Sequence, residues 1–444
     1  MSAVRDGSLY RTLWRWHFYA GLMVMPLVLI LSVTGALYLF KPQVERWEER
    51  AYRGLGMEAM VSPNAQAEVA RGAFPGSRFI SYRLPDAPGD AAMIHLALAD
   101  GNAMRDVFVS PQGRVVGSLD PAARIIAIDQ HVHGQLLLGK RGSWIVELAA
   151  SWAIVMILTG LYLWWPRSRG LAGVVWPRLG LGKRAFWRDI HAVMGFWVSG
   201  LALVLLTTGL PWADAWGSAF RLARQELGLV KGAQDWTIGG KAPSGGEHAE
   251  HDHAAMVQME ASGAELPSLA EIVGKAERQH LAFPVIVAAP GADMAWTVRS
   301  DAQNRPLRVT IRYDMATGRE LSRQGFGQKH WIDRVVGYGI SWHEGQLFGW
   351  VNQLVGLLTA VMLIMLVVSG FVMWRRRRPE GGLGAPLPAR SPARLRGVVV
   401  ITLVLAMALP LFAASLILLW LVERLLLSRL PYVSRWLGLR QAVS

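Results

Sequence analysis

Long apolar runs alternate with polar blocks along this chain. The runs cover roughly 13–40, 143–165, 187–212, 346–374 and 397–422, and each meets the requirement of about 20 residues for a helix to cross a ~30 Å hydrocarbon layer. The pattern predicts a mainly α-helical membrane protein with five crossings. Residues 1–12 precede the first crossing, 423–444 form a tail, 166–186 and 375–396 are short basic connections, and 41–142 and 213–345 are long extramembrane blocks. The first run continues into "LYLFKPQVERWEE" without a small-residue cleavage site, so it reads as a retained anchor and not as a cleaved signal.

Within the blocks the period changes. "MRDVFVSPQGRVVGSL" and "PLRVTIRYDMATGREL" each read as strand, turn at Gly113 or Gly318, and strand,. Two small α+β extramembrane domains are therefore expected. The second block also carries "PSGGEHAEHDHAAM", poor in apolar residues, which reads as a loop,.

Charge placement orients the chain. Arg5, Arg11 and Arg15 precede the first run, "WWPRSRG" through "GKRAFWR" joins the second to the third, and "WRRRRPE" follows the fourth. By the positive-inside rule these face the cytoplasm. The N-terminus is then cytoplasmic and the two long blocks lie in the periplasm of a bacterial cell, with the chain in its inner membrane. Five crossings put the tail outside, against the pull of Arg424, Arg429, Arg435 and Arg440. The net charge of +14 would suggest nucleic acid in a soluble protein, but here much of it sits in the short cytoplasmic segments, so no nucleic-acid partner is inferred. Cysteine is absent, which excludes thiolate iron–sulfur clusters, disulfides and thiol redox chemistry.

The spacing of a few residues repeats. His17, Gly21, Thr34 and Gly35 recur at the same intervals as His191, Gly195, Thr208 and Gly209; His133, Gly139, Thr159, Gly160 and Trp164 recur as His343, Gly349, Ser369, Gly370 and Trp374. A duplicated unit of helix, extramembrane block and helix is expected. His17 and His191 fall at the cytoplasmic starts of the first and third runs, while His133 and His343 stand near the periplasmic ends of the second and fourth. Two pairs, one per membrane face, are the natural grouping, and such a pair can ligate a b-type haem from both sides. Gly35 lies 18 residues after His17, a whole number of helical turns and about 27 Å along the same face, where it could make room for a second macrocycle. Gly209 repeats the relation to His191, and Gly160 and Gly370 reach the level of the first haem. Gly139, Gly142 and Gly349 can break their helices.

Other candidates are weaker. His248, His251 and His253, beside Glu247, Glu250 and Asp252, could bind a divalent metal or iron, although a solvated loop accounts for them too. His131 is an alternative ligand whose repeat position is Ser341, and His330 has no counterpart. "GQLLLGKR" nearly matches a phosphate-binding loop, but Arg141 replaces its Ser/Thr and an apolar helix surrounds it,. Without a dinucleotide fingerprint, reductant must come from a cytoplasmic protein or a diffusible donor. The tryptophans cluster at the ends of apolar runs, as in "LYLWWPR" and "FVMWRRRR", as interfacial anchors do.

The motifs "RWHFYAGLMVMPLVLILSVTGALYLF", "HGQLLLGKRGSW…LTGLYLWWPR", "RDIHAVMGFW…TTGL" and "HEGQLFGWVNQLVGLL…VSGFVMWRRRRP" resemble the PepSY-associated transmembrane helix family of iron-regulated inner-membrane proteins, over roughly residues 9–380. The resemblance implies extramembrane PepSY domains and members that act as haem-containing ferrisiderophore reductases. Its motif histidines fall on His17, His133, His191 and His343. The reading this favours is electron transfer from cytoplasm to periplasm through two b haems, with a ferric siderophore or its periplasmic carrier as acceptor. A siderophore transporter without redox chemistry and a regulatory PepSY membrane protein are the alternatives. Haem content separates the first, and dispensable histidines would mark the second.

Overall fold

A computed structural model describes residues 2–99, 103–165, 172–178, 180, 182–229, 268–291, 294–386 and 396–439. The chain opens with α1 (Ser2–Tyr38), followed by a short α2 (Lys41–Glu48) and a 3-10 turn (Glu49–Tyr52). The first extramembrane block then forms α3 (Pro63–Ala73) and strands β1 (Arg78–Arg83), β2 (Ala92–Ala97), β3 (Met104–Val109) and β4 (Val115–Leu119). Next come α4 (Ile125–Gln135), α5 (Lys140–Trp164), α6 (Gly182–Gly209) and α7 (Asp214–Glu226). The second block supplies α8 (Leu269–Glu277), β5 (Val285–Ala288), β6 (Ala295–Ser300), β7 (Val309–Asp314) and β8 (Glu320–Gly325). The remaining helices are α9 (Trp331–His343), α10 (Trp350–Arg377), α11 (Arg396–Ala408), α12 (Pro410–Leu425) and α13 (Pro431–Trp436).

Four helical stretches among the described residues are long and apolar enough to cross a membrane: Leu9–Tyr38, Lys140–Trp164, Gly182–Trp212 and Trp350–Arg377. In the bundle, α1 packs on α5 and α10, and α6 packs on the same two helices. Close approach follows from small residues. A Cβ on Gly21 would touch Met156, and one on Gly195 would touch Leu366, so both positions let large neighbours nestle against backbone.

The histidines near the sheet do not sit on the crossing helices. His133 lies in the last turn of α4 and His343 ends α9, each separated from the next long helix by a break. Gly139 (φ 57, ψ −136) and Gly349 (φ 59, ψ −139) occupy the N-caps of α5 and α10, a conformation open essentially to glycine alone. The chain can therefore turn sharply there and aim a short histidine-bearing helix back over the bundle.

The two extramembrane blocks do not form two separate small domains. They join in one eight-stranded sheet of order β4-β3-β2-β1-β5-β6-β7-β8. At the seam β1 runs antiparallel to β5, with Ser81, Tyr82 and Arg83 opposite Ala288, Val287 and Ile286. The physical reason is edge pairing: two four-stranded sheets would each leave a central edge with unsatisfied backbone groups, and fusing them removes both edges. α3 and α8 cover one face, where Ala70, Ile94, Val107, Ile272, Val287 and Ile311 form the core.

The other face differs between the halves. Under β1–β4, Tyr52 stacks on Phe108 with centroids 4.2 Å apart, and the buried Glu49 binds Arg83 and, at 2.8 Å, Arg124. The segment after α1 therefore plugs that half. Under β5–β8, Thr297, Arg299, Thr310 and Gln324 line a cavity instead.

The run 397–422, expected as a fifth crossing, is broken. α11 stops at Ala408, Leu409 is non-helical (φ −129, ψ 88), and Pro410 starts α12. Proline cannot donate the backbone bond that would continue α11, but it suits the first turn of a new helix. Trp216, just past the sheet end of α6, donates its indole N–H to Ala408 at 3.0 Å, and Trp152 of α5 donates to Ser415 at 3.1 Å. The chain then returns to the opposite end, where Tyr19 donates to the Leu437 carbonyl at 2.6 Å and Arg15 to that of Gly438. The tail thus lies beside the start of α1, on the same side as the end of α10, whose following residue Leu383 donates its backbone N–H to Trp436.

Candidate functional site: two histidine pairs in one cavity

The fold brings His17 of α1 to His191 of α6, with ring centroids 6.4 Å apart and planes at 87°. At the sheet end it brings His133 to His343, again 6.4 Å apart, with planes at 81°. Each pair takes one histidine from each half of the chain.

The orientation of each ring is set by a hydroxyl. His17 Nδ1 lies 3.1 Å from Thr159 Oγ1, His133 Nδ1 2.9 Å from Thr34 Oγ1, His191 Nδ1 3.1 Å from Ser369 Oγ and His343 Nδ1 3.1 Å from Thr208 Oγ1. Every one of these hydroxyls has already committed its proton. Thr159 donates to Val155, Thr34 to Ile30, Ser369 to Met365 and Thr208 to Val204, all to the carbonyl four residues back,. The oxygen can then only accept, so each Nδ1 carries a hydrogen, which in the neutral ring leaves the lone pair on Nε2. For His191 the carbonyl of Leu366, 3.2 Å from Nδ1, requires the same tautomer. Burial lowers the pKa of His133 and His343 to about 4, which keeps both neutral at physiological pH.

A glycine sits against each ring. A Cβ added at Gly160 would come within 3.1 Å of His17 Cε1, at Gly35 within 3.2 Å of His133 Cε1, at Gly209 within 3.3 Å of His343 Cε1, and at Gly370 within 3.4 Å of His191 Cε1. The space expected for a macrocycle beside these glycines is thus taken first by the imidazole itself. The residue before each glycine supplies the hydroxyl. A two-residue hydroxyl–glycine unit therefore seats each ring by one hydrogen bond and one close contact.

The spacing suits a metal between the rings. An imidazole centroid lies about 1.1 Å from its nitrogen and a metal–imidazole bond is about 2.0–2.1 Å, so two rings coaxial with one metal have centroids about 6.3 Å apart. Direct hydrogen bonding would need them closer. Perpendicular planes are compatible, because each ring turns freely about its metal–nitrogen axis.

All four histidines and all four glycines line one cavity of about 2180 Å³ that runs from Tyr10 and Trp14 to the underside of β6. That is about twice the upper end for a drug-sized ligand site. Trp164 stacks on Phe196 (4.2 Å, 5°) in its wall near the first pair, and Arg178, Arg188 and Arg377 also face it there.

The other histidines are elsewhere. His131 is exposed, with Nδ1 2.8 Å from the Ala127 carbonyl, His330 caps α9 through Ile332 N–H, and His95 pairs with Asp106 at 2.7 Å. His248, His251 and His253 lie outside the described residues. Among the described residues no cluster of three or more His, Asp or Glu could hold a metal ion. Sequence reading placed Thr34, Thr159, Thr208 and Ser369 in the repeat without a role, although their position one residue before each glycine was the available signal. It missed Glu147, buried on α5, whose carboxylate accepts the Ala215 and Trp216 N–H groups at 3.0 and 3.1 Å and so anchors the start of α7,.

Residues 14–377 match the model of the PepSY-associated TM region family, and the chain belongs to that family. No curated protein matches it.

Proposed function

Taking that membership as the premise, we propose that this multi-pass membrane protein is a two-haem electron carrier that delivers electrons across the bilayer to a ferric siderophore. The observation that carries the reading is the paired seating of four imidazoles, each held through Nδ1 by a hydroxyl, with ring centroids 6.4 Å apart in both pairs, a spacing suited to one iron per pair. A b haem at each pair would supply a one-electron iron couple with both axial positions filled, which favours electron transfer over oxygen chemistry. His17 and His191 would hold one haem and His133 and His343 the other; the hydroxyls fix the ligand tautomers and the glycines leave room for the rings.

The same reading assigns direction. The sheet lies in the periplasm, and the end bearing Arg15 and Arg377 lies in the cytoplasm of the inner membrane. The returning tail adds Arg424 and Arg435 to that side, so the arginines that opposed a five-crossing topology agree with a hairpin. Outward electron movement gains about 2.3 kcal/mol per 100 mV of membrane potential. Reduction of Fe(III) to the softer Fe(II) weakens its bonds to hard oxygen ligands, freeing iron from the chelate. The matching hydroxyl, glycine and histidine positions, with β1–β4 continued by β5–β8, support duplication of a helix–PepSY–helix unit.

The test is the absorption spectrum of detergent-purified protein, oxidised and dithionite-reduced, with a pyridine haemochrome count. Two low-spin b haems per chain are expected; protein free of haem after expression with ample haem would sink the reading. Anaerobic reoxidation of the reduced spectrum by a ferric siderophore then tests the acceptor.

A further inference from the structure

The two short helices that carry His133 and His343 have outer faces that contact with water does not explain. α9 turns Asp333, Gly337, Ile340 and Ser341 inward. Its opposite face carries Trp331, Val335 and Tyr338, which are 60%, 60% and 49% exposed and whose spacings of four and three residues make one stripe. Arg334 is exposed at its edge. A helix face turned to water carries polar side chains. α4 repeats the pattern on a smaller scale: Ile126 and Asp129 are buried, whereas Ile125 and Ile128 are exposed, with Gln130 and His131 exposed beside them.

The breaks that follow extend both stripes. Leu137 and Leu138 after α4, and Phe348 and Trp350 at the start of α10, are each at least 60% exposed. They stand at the sheet-side ends of crossing stretches that begin at Lys140 and Trp350. From there exposed apolar residues continue along α10 through Val351, Leu354 and Leu358, and along α5 through Trp144 and Ile145. Tryptophan at such a boundary marks the headgroup layer, and a helix with one apolar face and a polar or cationic edge is built to lie in that layer.

We propose that α9 and α4, with the apolar tips that follow them, lie in the headgroup layer of the sheet-side leaflet with their stripes turned into the lipid. The partner is the bilayer surface itself, met by parts of the chain outside the four crossing stretches. His133 and His343 are then mounted from the membrane surface, so lipid helps to set the depth of their pair. The placement holds whether or not the rings bind haem.

The chain lacks cysteine, so single nitroxide labels can be placed on the full-length protein without background. Val335→Cys, Tyr338→Cys, Ile128→Cys and Leu138→Cys are each labelled in a nanodisc holding one copy in phosphatidylcholine and phosphatidylglycerol. Electron paramagnetic resonance then reads collisions with oxygen, which concentrates in lipid, and with a nickel chelate, which stays in water. Oxygen collisions are expected to dominate at all four sites, less strongly than at Leu358→Cys on α10, and nickel collisions at Val69→Cys on α3 and Arg323→Cys on β8. All these positions are exposed, so the substitutions leave the core untouched. Adding Val335→Glu should raise nickel access at the Tyr338→Cys label, because a carboxylate draws the stripe out of lipid. Nickel collisions dominating at the labels of either helix would overturn the proposal, as would shielding from both reagents, which marks contact with protein. Lipid-embedded labels on protein that carries no haem would sustain the placement and overturn the electron-transfer reading alone.

Discussion

The membrane part of this molecule treats its two halves alike, and the sheet treats them differently. Around the histidine pairs the same unit occurs four times, a hydroxyl, a glycine and a ring, with ring separations of 6.4 Å at both ends. Under the sheet, one half is closed by Tyr52 and Glu49 while the other lines the cavity with Thr297 and Arg299. The lesson concerns constraint. A ring pair needs matching contributions from both halves, so a change in either spoils it; no such pairing links the undersides of the two half-sheets, so one could be filled while the other stayed open.

The sharpest way to break this comparison is at the rings. His191→Ala and His343→Ala should each remove one haem and leave the other, lowering the haemochrome count from two to one in both variants. Loss of both haems from either single variant, or of neither, would show that the pairs are not independent equivalents. Next in size is the plug. Glu49 is buried against Arg83 and Arg124, and Glu49→Ala leaves Arg83 without its ion partner while Arg124 keeps Glu48 at 3.0 Å, which costs about 3–5 kcal/mol for a buried pair. A lower unfolding midpoint with an unchanged haem spectrum is expected; a changed spectrum would tie the plug to the haem sites.

The hydroxyls sharpen the comparison further. Thr159→Val and Ser369→Ala should weaken haem retention at the His17/His191 pair by about 10–100-fold, the usual effect of removing a partner that orients a ligand, without touching the other pair. The readout is haem transfer to apomyoglobin, and equal loss from both pairs would contradict a local role. The smallest effect is at a mismatch between the two short histidine-bearing helices. Four residues before His133 stands Asp129, and four before His343 stands Gly339. Burial raises the Asp129 pKa to about 6, above the usual 3.8 for the unfolded chain, so its neutral form favours folding at low pH and that contribution is lost as pH rises from 3.8 through 6. Asp129→Asn should therefore raise stability by about 2 kcal/mol at pH 7.5 and change little at pH 3.5; equal effects at both would rule out titration as the cause.

Much of the bundle was legible because hydrophobic runs and identical spacings are local properties of the sequence. His17, His133, His191 and His343 could be picked out from Thr34, Gly35 and their counterparts. The breaks at Gly139 and Gly349 were suspected for the same reason, glycine being the residue that reaches their φ and ψ. The joined sheet was not legible, since pairing of Tyr82 with Val287 is a long-range event without a periodic signature. The run 397–422 misled because hydropathy averages over Leu409 and Pro410, where one missing N–H decides between crossing and returning. The vestibule was hidden by alternation: Thr297, Arg299 and Thr310 read as the solvent face of strands whose other face is core, and only the folded chain puts a cavity under them.

That each ring pair draws one member from each half bears on ancestry. Under the proposed duplication, a gene encoding a single unit could not have held either cofactor as a monomer, because each unit brings one histidine to each pair. It would have worked as a homodimer, and fusion of two copies ended the identity that such an assembly enforces. Only after that could Tyr52 close one face while its counterpart stayed open.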